Sequence, residues 1–182
     1  MKILIASDIH GSLSAAKKVM DAFFNEKADY LIFLGDALYH GPRNPLPCEY
    51  DPAGVANLLN TIKDKVIAIR GNCDSEVDGM LLHFPITAEY QNIILHNGKL
   101  FATHGHIFDQ GSIPVNVVSG DIFAFGHIHI PIAEYNESGI MIFNPGSASL
   151  PKENHPPTYG VLTNEKVEIK EFNGEIYKKL MR

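Results

Sequence analysis

Tyr30-Leu31-Ile32-Phe33-Leu34-Gly35-Asp36 is a short apolar run that stops abruptly in a glycine and a carboxylate. Runs of this length and texture read as strands buried on both faces. In open α/β sheets the ligand sits just beyond the carboxyl ends of such strands, so Asp36 stands at the mouth of a site. Gly35 leaves room for a second backbone or a ligand to approach. The same grammar recurs four more times. Strand 2–7 runs into Asp8-Ile9-His10, and strand 66–70 into Gly71-Asn72-Cys73-Asp74. Strand 99–103 runs into His104-Gly105-His106, and strand 121–125 into Gly126-His127-Ile128-His129. Five strand ends each deliver Asp, Asn or His. Their convergence reads as a metal site built around Asp36.

The whole chain narrows the class. Its 182 residues suffice for one domain with a sizeable core, and no linker, repeat or low-complexity stretch divides 1–182. With 45% hydrophobic and 20% charged residues, the composition is that of an ordinary globular protein. A net charge of −6 argues against non-specific nucleic-acid binding, which needs a basic face. No apolar run approaches the roughly 20 residues of a membrane span. Met1-Lys2 opens directly into a strand, which reads as a chain without a signal peptide. Cys48 and Cys73, the only cysteines, read as reduced thiols rather than a bridge. The expected location is the cytoplasm.

Along the chain, Ser12 is a helix N-cap, followed by an apolar stripe of Leu13, Ala16, Met20, Phe23 and Phe24. Residues 37–50 hold three prolines and a glycine in His40-Gly41-Pro42-Arg43-Asn44-Pro45-Leu46-Pro47, which excludes regular structure. A loop this long in a compact domain is usually functional or disordered. Asp51-Pro52 starts a second helix, with Val55, Leu58, Leu59 and Ile62 on its buried face. Ser75 and Asp78 have capping-box spacing. After Pro85 the texture turns to strands. Residues 91–95 and 99–103 read as a hairpin with a type I′ turn at Asn97-Gly98. Residues 132–135 pair with 140–144, Asn144-Pro145-Gly146-Ser147 reads as a turn, and 159–162 with 167–172 form a final hairpin. Strand–helix alternation followed by strands fits two sheets face to face with helices outside.

Singly, each site residue is weak evidence, because a lone His is more often structural. Jointly, Asp8, His10, Asp36, Asn72, His104, His127 and His129 supply seven ligands, enough for two divalent ions sharing one carboxylate. Mixed imidazole and carboxylate donors suit Mn, Zn, Fe or Ni.

In order and spacing, Asp8-x-His10, Gly35-Asp36, Gly71-Asn72-x-Asp74, His104-Gly105 and Gly126-His127-x-His129 resemble the five signature blocks of the calcineurin-like metallophosphoesterases. With the His40–Pro47 loop included, the chain most resembles the bacterial YfcE-type phosphodiesterases of that superfamily. The resemblance implies a four-layer αββα sandwich of two mixed sheets flanked by helices, the metallo-dependent phosphatase fold. It implies that Asp8, His10 and His129 hold one metal, that Asn72, His104 and His127 hold the other, and that Asp36 bridges them. Two ions about 3.5–4 Å apart acidify a bridging water and clamp a phosphate; the hydroxide attacks phosphorus in line with the leaving oxygen. Asp36, Asn72, Asp74 and His10 are the expected catalytic set, with Asp74 either orienting His10 or capping a helix beside Ser75.

One position departs from the family. Many members carry His where this chain has Cys73, and that His holds the phosphate or protonates the leaving group. A thiol is a poor substitute at neutral pH, which favours diesters with stable leaving anions. Arg43, His40, Cys73 and His106 are the candidate substrate-binding residues, though Arg43 also fits a plain loop arginine. Arg70 reads as a structural ion pair, and His83, His96 and His155 as surface or structural. The expected function is a metal-dependent phosphodiesterase acting on a small phosphodiester or nucleotide-type substrate. The competing readings are a phosphomonoesterase, a nucleotide pyrophosphatase, and a non-catalytic scaffold like the retromer subunit with this fold. The complete ligand set disfavours the scaffold. Family members are often homo-oligomers, and no interface stretch stands out here.

Overall fold

The computed structural model describes all of residues 1–182. The chain runs β1 (Ile3–Ala6), α1 (Leu13–Asn25), β2 (Tyr30–Phe33), α2 (Pro52–Asn60), β3 (Val66–Ala68), α3 (Asp78–Leu81), β4 (Tyr90–Ile94), β5 (Lys99–Thr103), β6 (Ile122–Ala124), β7 (Pro131–Tyr135), β8 (Met141–Pro145), β9 (Thr158–Leu162), β10 (Lys166–Glu171) and β11 (Ile176–Met181). One sheet has the order β11-β10-β9-β1-β2-β3 and the other β4-β5-β6-β8-β7. Both are mixed. β1, β2 and β3 are parallel, as are β5, β6 and β8, and the remaining pairings are antiparallel.

Period-two alternation sorts the strands into layers. In β1, Ile3 and Ile5 face the second sheet and, with Ile32 of β2, form one cluster with Ala102, Ala124 and Phe143 of that sheet. Leu4 and Ala6 face the other way, onto Val19, Phe23, Val55 and Leu59 of the two longer helices. The outer face of the second sheet buries Phe101, Phe123 and Ile142 beneath Val117, Phe108 and Ile113. Residues 104–120, a run of turns without a regular helix, therefore stand in for the fourth layer of the αββα sandwich. The helices begin where their caps predict. The Ser12 hydroxyl accepts the Ala15 N–H at 3.2 Å, and Asp51 accepts that of Gly54 at 3.0 Å. No helix is long and apolar enough to cross a membrane.

Several local readings change. Phe24 leaves the apolar stripe and is 60% exposed, while Val19 joins the core. The reversal between β4 and β5 is not type I′, which needs positive φ at both central residues. Only Gly98 has it (φ 76), and Leu95 N–H donates to the Gly98 carbonyl. Asn144 and Pro145 close β8 instead of turning, and the reversal begins at Gly146 (φ 78). In the Ser75–Asp78 pair the hydroxyl does not cap. Asp78 accepts both the Ser75 N–H and its O–H. The final hairpin carries a third strand, β11, whose Lys178-Lys179 breaks the apolar texture because it lies at the sheet edge.

Gly160 of β9 sits where the sheets approach. A Cβ there would lie 2.6 Å from Phe143 Cζ and 3.3 Å from Ile5 Cβ. Gly160→Ala is expected to cost about 1–3 kcal/mol by overpacking. Phe143→Leu should cost less in that background than in the wild type. Urea unfolding of the two single variants and the double variant checks this, and simply additive losses would show that the sheets do not meet there.

Candidate metal centre

The parallel strands of both sheets aim their carboxyl ends at one place. The first sheet delivers Asp8, His10, Asp36 and Asn72, and the second His104, His127 and His129. The backbone ladder continues past the strand ends. Asp8 N–H donates to the Gly35 carbonyl at 3.1 Å and His10 N–H to that of Asp36 at 2.9 Å. Asp8 (φ 57), His10 (φ 52), Asp36 (φ 59), His127 (φ 65) and His129 (φ 62) all lie in the left-handed region that L-residues avoid. Strain gathered at five side chains that face each other marks a functional site. The room for it comes from glycine. A Cβ on Gly71 would lie 2.5 Å from Asp36 N, and one on Gly126 2.9 Å from Asp8 Oδ2.

The protons on the imidazoles follow from their partners. His10 Nδ1 lies 2.9 Å from the Tyr39 carbonyl, His104 Nδ1 2.7 Å from that of Leu34, and His129 Nδ1 2.6 Å from that of Leu150. A carbonyl only accepts, so each Nδ1 carries the hydrogen and each neutral ring turns a bare Nε2 lone pair inward. His10 Nε2 and His129 Nε2 are 3.2 Å apart, and Asp8 Oδ1 lies 3.5 and 3.1 Å from them. That Oδ1 is buried with no hydrogen-bond partner, while the other oxygen of Asp8 accepts the His127 N–H at 3.1 Å. Asp36 Oδ2 stands between His10 Nε2 (3.7 Å) and His104 Nε2 (3.4 Å), and its Oδ1 accepts the Cys73 N–H at 2.8 Å. Asn72 Oδ1 is 3.1 Å from His104 Nε2. Such a gathering of acceptors without donors repels itself unless a cation or extra protons enter. The donor set fits a metal ion. Three carboxylate–imidazole or carboxylate–imidazole–thiol triads have the spacing to hold one: Asp8-His10-His129, Asp8-Asp36-His104 and His10-Asp36-Cys73.

Without a metal, protons take that role. Burial opposes charge on His104, but hydrogen bonding to Asp36 and the charges of Asp8 and Asp36 push its pKa up to about 9. His10 shifts up for the same reason, its burial outweighed by Asp8. Burial alone would raise Asp8, yet His10 and His129 hold it well below the usual carboxylate range. Burial and the charge on His104 push His106 and His127 down.

Asp74 does not touch His10 and caps no helix. Its carboxylate accepts the N–H groups of Asp36 (2.7 Å), Ala37 (2.8 Å) and Gly71 (2.7 Å). It therefore clamps the strained turn that aims Asp36, while the Tyr39 carbonyl orients His10. Asn144 does similar work for the second sheet: its Nδ2 donates to the Gly126 carbonyl at 2.8 Å, just before His127.

A cleft of about 1140 Å³ opens over the cluster and includes Arg43 and Cys73. His40 and His106 do not line it. The His40 ring packs edge-on against Tyr39 and Tyr50, and His106 lies against His104 and His127 from outside. Arg70 makes no ion pair; it lines the cleft, with its Nε donating to the Asp74 carbonyl at 3.3 Å. Lys152 also lines the cleft, its N–H donating to the His129 carbonyl at 3.2 Å. No motif surrounds Lys152, and the only signal for Arg70 was its place two residues before Asn72. Cys48 and Cys73 are free thiols, and His155 bonds Tyr177 in a structural contact.

Known proteins are similar to this chain in sequence and in fold. Phosphodiesterase YfcE of Escherichia coli K12 is 50% identical over 175 residues, 96% of this chain and 94% of that protein. The solved structure of Yfce, a phosphoesterase from E. coli, superimposes with a TM-score of 0.96 at 48% identity, over 99% of this chain and 98% of that one. Phosphodiesterase MJ0936 of Methanocaldococcus jannaschii is 26% identical over 180 residues, 94% of this chain and 98% of that protein. Residues 1–166 match the model of the calcineurin-like phosphoesterase superfamily domain, and the chain belongs to that superfamily.

Proposed function

We propose that the chain is a metal-dependent phosphodiesterase and that residues 1–182 act as one domain. The observation that carries this reading is the pair of Nε2 atoms 3.2 Å apart, each ring held by a carbonyl on its Nδ1, beside the unpartnered Asp8 Oδ1 at the floor of an open cleft. The 50% identity to a phosphodiesterase supports the choice of substrate class. Asp8, His10 and His129 would hold one divalent ion and Asn72, His104 and His127 a second, with Asp36 shared. The place of Asp36 Oδ2 between His10 and His104, one from each set, supports the sharing. Mn is the ion we assign. Bound ions supply an acidified water and neutralise charge on phosphorus. The protein holds the rings by the Tyr39, Leu34 and Leu150 carbonyls and fixes Asp36 through Asp74. Arg43 offers a bidentate contact to a phosphate oxygen.

Cys73 sets the leaving group. Burial and the charge of Asp36 push its thiol up, so it parts with a proton too reluctantly for general-acid work near neutral pH. A diester whose alcohol departs as a stable anion needs no such acid. The site therefore acts on diesters ahead of monoesters, and the acidic chain acts on small molecules in the cytoplasm.

Asp36→Asn is expected to keep its fold by circular dichroism while turnover of a chromogenic diester drops about a hundredfold or more. Near-full activity would remove the shared-carboxylate assignment. In the Mn-loaded protein the diester should be cleaved faster than the matching monoester, and Cys73→His should raise the monoester rate. An unchanged monoester-to-diester ratio in that variant would dispose of the leaving-group argument.

The raised pKa of His104 adds a sign. A proton bound more tightly in the folded chain stabilises it fully below the ordinary 6.5, and this contribution is lost as pH rises through about 9. Chelated protein should lose up to about 3 kcal/mol of stability across that window, while loaded protein should not. Identical melting curves against pH in the two forms would contradict the assignment of His104.

A further inference from the structure

Resting on the phosphodiesterase reading, we propose that the substrate carries a second anionic group, a phosphate or carboxylate on one alcohol arm, which binds cations at the rim of the cleft. The argument is one of charge. Two divalent ions bring four positive charges; Asp8 and Asp36 offset two, and the attacking hydroxide and the single charge of a diester offset the rest. Asp74, behind Asp36, adds one negative charge, so the centre calls for no more than one rim cation.

The cleft nonetheless carries three cations, Arg43, Arg70 and Lys152, against Asp74 and Glu76 once Asp36 is counted with the ions. None of the three is paired, although the chain has 21 acidic residues to 15 basic. Of the other twelve basic residues, Lys2, Lys17, Lys99, Lys166 and Lys170 find carboxylates and seven do not, so it is the collection of three in one concavity, and not their being unpaired, that sets the rim apart. Unpaired cations collected in one concavity of an acidic protein mark where an anion is read. Arg70 is also pre-positioned. Its Nε is tied to the Asp74 carbonyl at 3.3 Å, in the turn that carries Asn72, which leaves both terminal nitrogens free for a fork contact. Lys152 stands beside His129, to whose carbonyl its own N–H donates. Arg70 thus stands beside the Asn72 end of the cluster and Lys152 beside the His129 end. A cleft of about 1140 Å³ has room for a ligand with a second anionic arm.

The 4-nitrophenyl ester of thymidine 5′-phosphate and the same ester bearing a 3′-phosphate share one leaving group and differ only in the extra anion. With Mn-loaded protein at fixed ionic strength, the 3′-phosphate should raise kcat/KM about tenfold, mainly through KM, the factor one hydrogen bond to a charged group is worth. In Arg70→Gln/Lys152→Gln the ratio should fall towards one. A wild-type ratio of one or less, or a ratio the double variant does not move, overturns the proposal while leaving the phosphodiesterase reading intact. If neither ester is cleaved, that reading fails and calorimetry decides the rim separately. Tighter binding of thymidine 3′,5′-bisphosphate than of thymidine 5′-monophosphate, lost in the double variant, supports the rim, and equal affinities refute it.

Discussion

The structure depends on a repulsion that it holds in place. Four inward-facing acceptors, Asp8 Oδ1, Asp36 Oδ2 and the Nε2 atoms of His10 and His129, crowd within a few ångströms in a buried pocket. Without a cation or extra protons their mutual interaction disfavours the folded chain. They stay because each is anchored from behind: the imidazoles by carbonyls on Nδ1, and the carboxylates by backbone N–H groups of His127 and Cys73. The backbone around them is strained as well, with five left-handed residues at the strand ends. Stability drawn from the cores on either side of the first sheet is spent here on preorganisation, so an incoming cation needs little rearrangement.

Much of this was legible because buried parallel strands write themselves plainly. An apolar run ending in a polar residue gives the strand, its direction and the residue at its tip, so all seven ligand candidates fell where strand ends put them. What was hidden depends on three-dimensional neighbours. Nothing local says that Asp74 serves backbone N–H groups of another strand, since its partners lie 37 and 38 positions away. Lys152 enters the cleft from a loop without a motif. Arg70 resembled an ion-pair residue, and only the fold shows that no carboxylate waits for it. Phe24 satisfied the helical stripe but lies on the solvent side of α1, because Val19 and Phe23 already fill the groove against Phe33. β11 was missed because edge strands carry charges that blur the two-residue period.

The two sheets also divide the labour, and each half of the cluster takes side chains from both. Asp8 and His10 come from the first sheet and meet His129 from the second; Asn72 from the first meets His104 from the second. The distance between sheets therefore sets the geometry of the cluster. That distance is fixed by the side chains that interdigitate, including Ile5, Ile32 and Phe143, with Gly160 making room for the Phe143 ring. It is pinned at the site by bonds that cross from one sheet to the other, Leu34 carbonyl to His104 Nδ1 and Asp8 Oδ2 to the His127 N–H. Close-packed cores transmit small displacements with little loss, and a site that must hold donors to within about half an ångström is sensitive to them. Core residues far from the cleft thus belong to the machinery of the site in a physical sense. A substitution that separates the sheets would loosen the acceptor cluster, relieve its repulsion, and weaken the hold on a cation before it unfolds the chain.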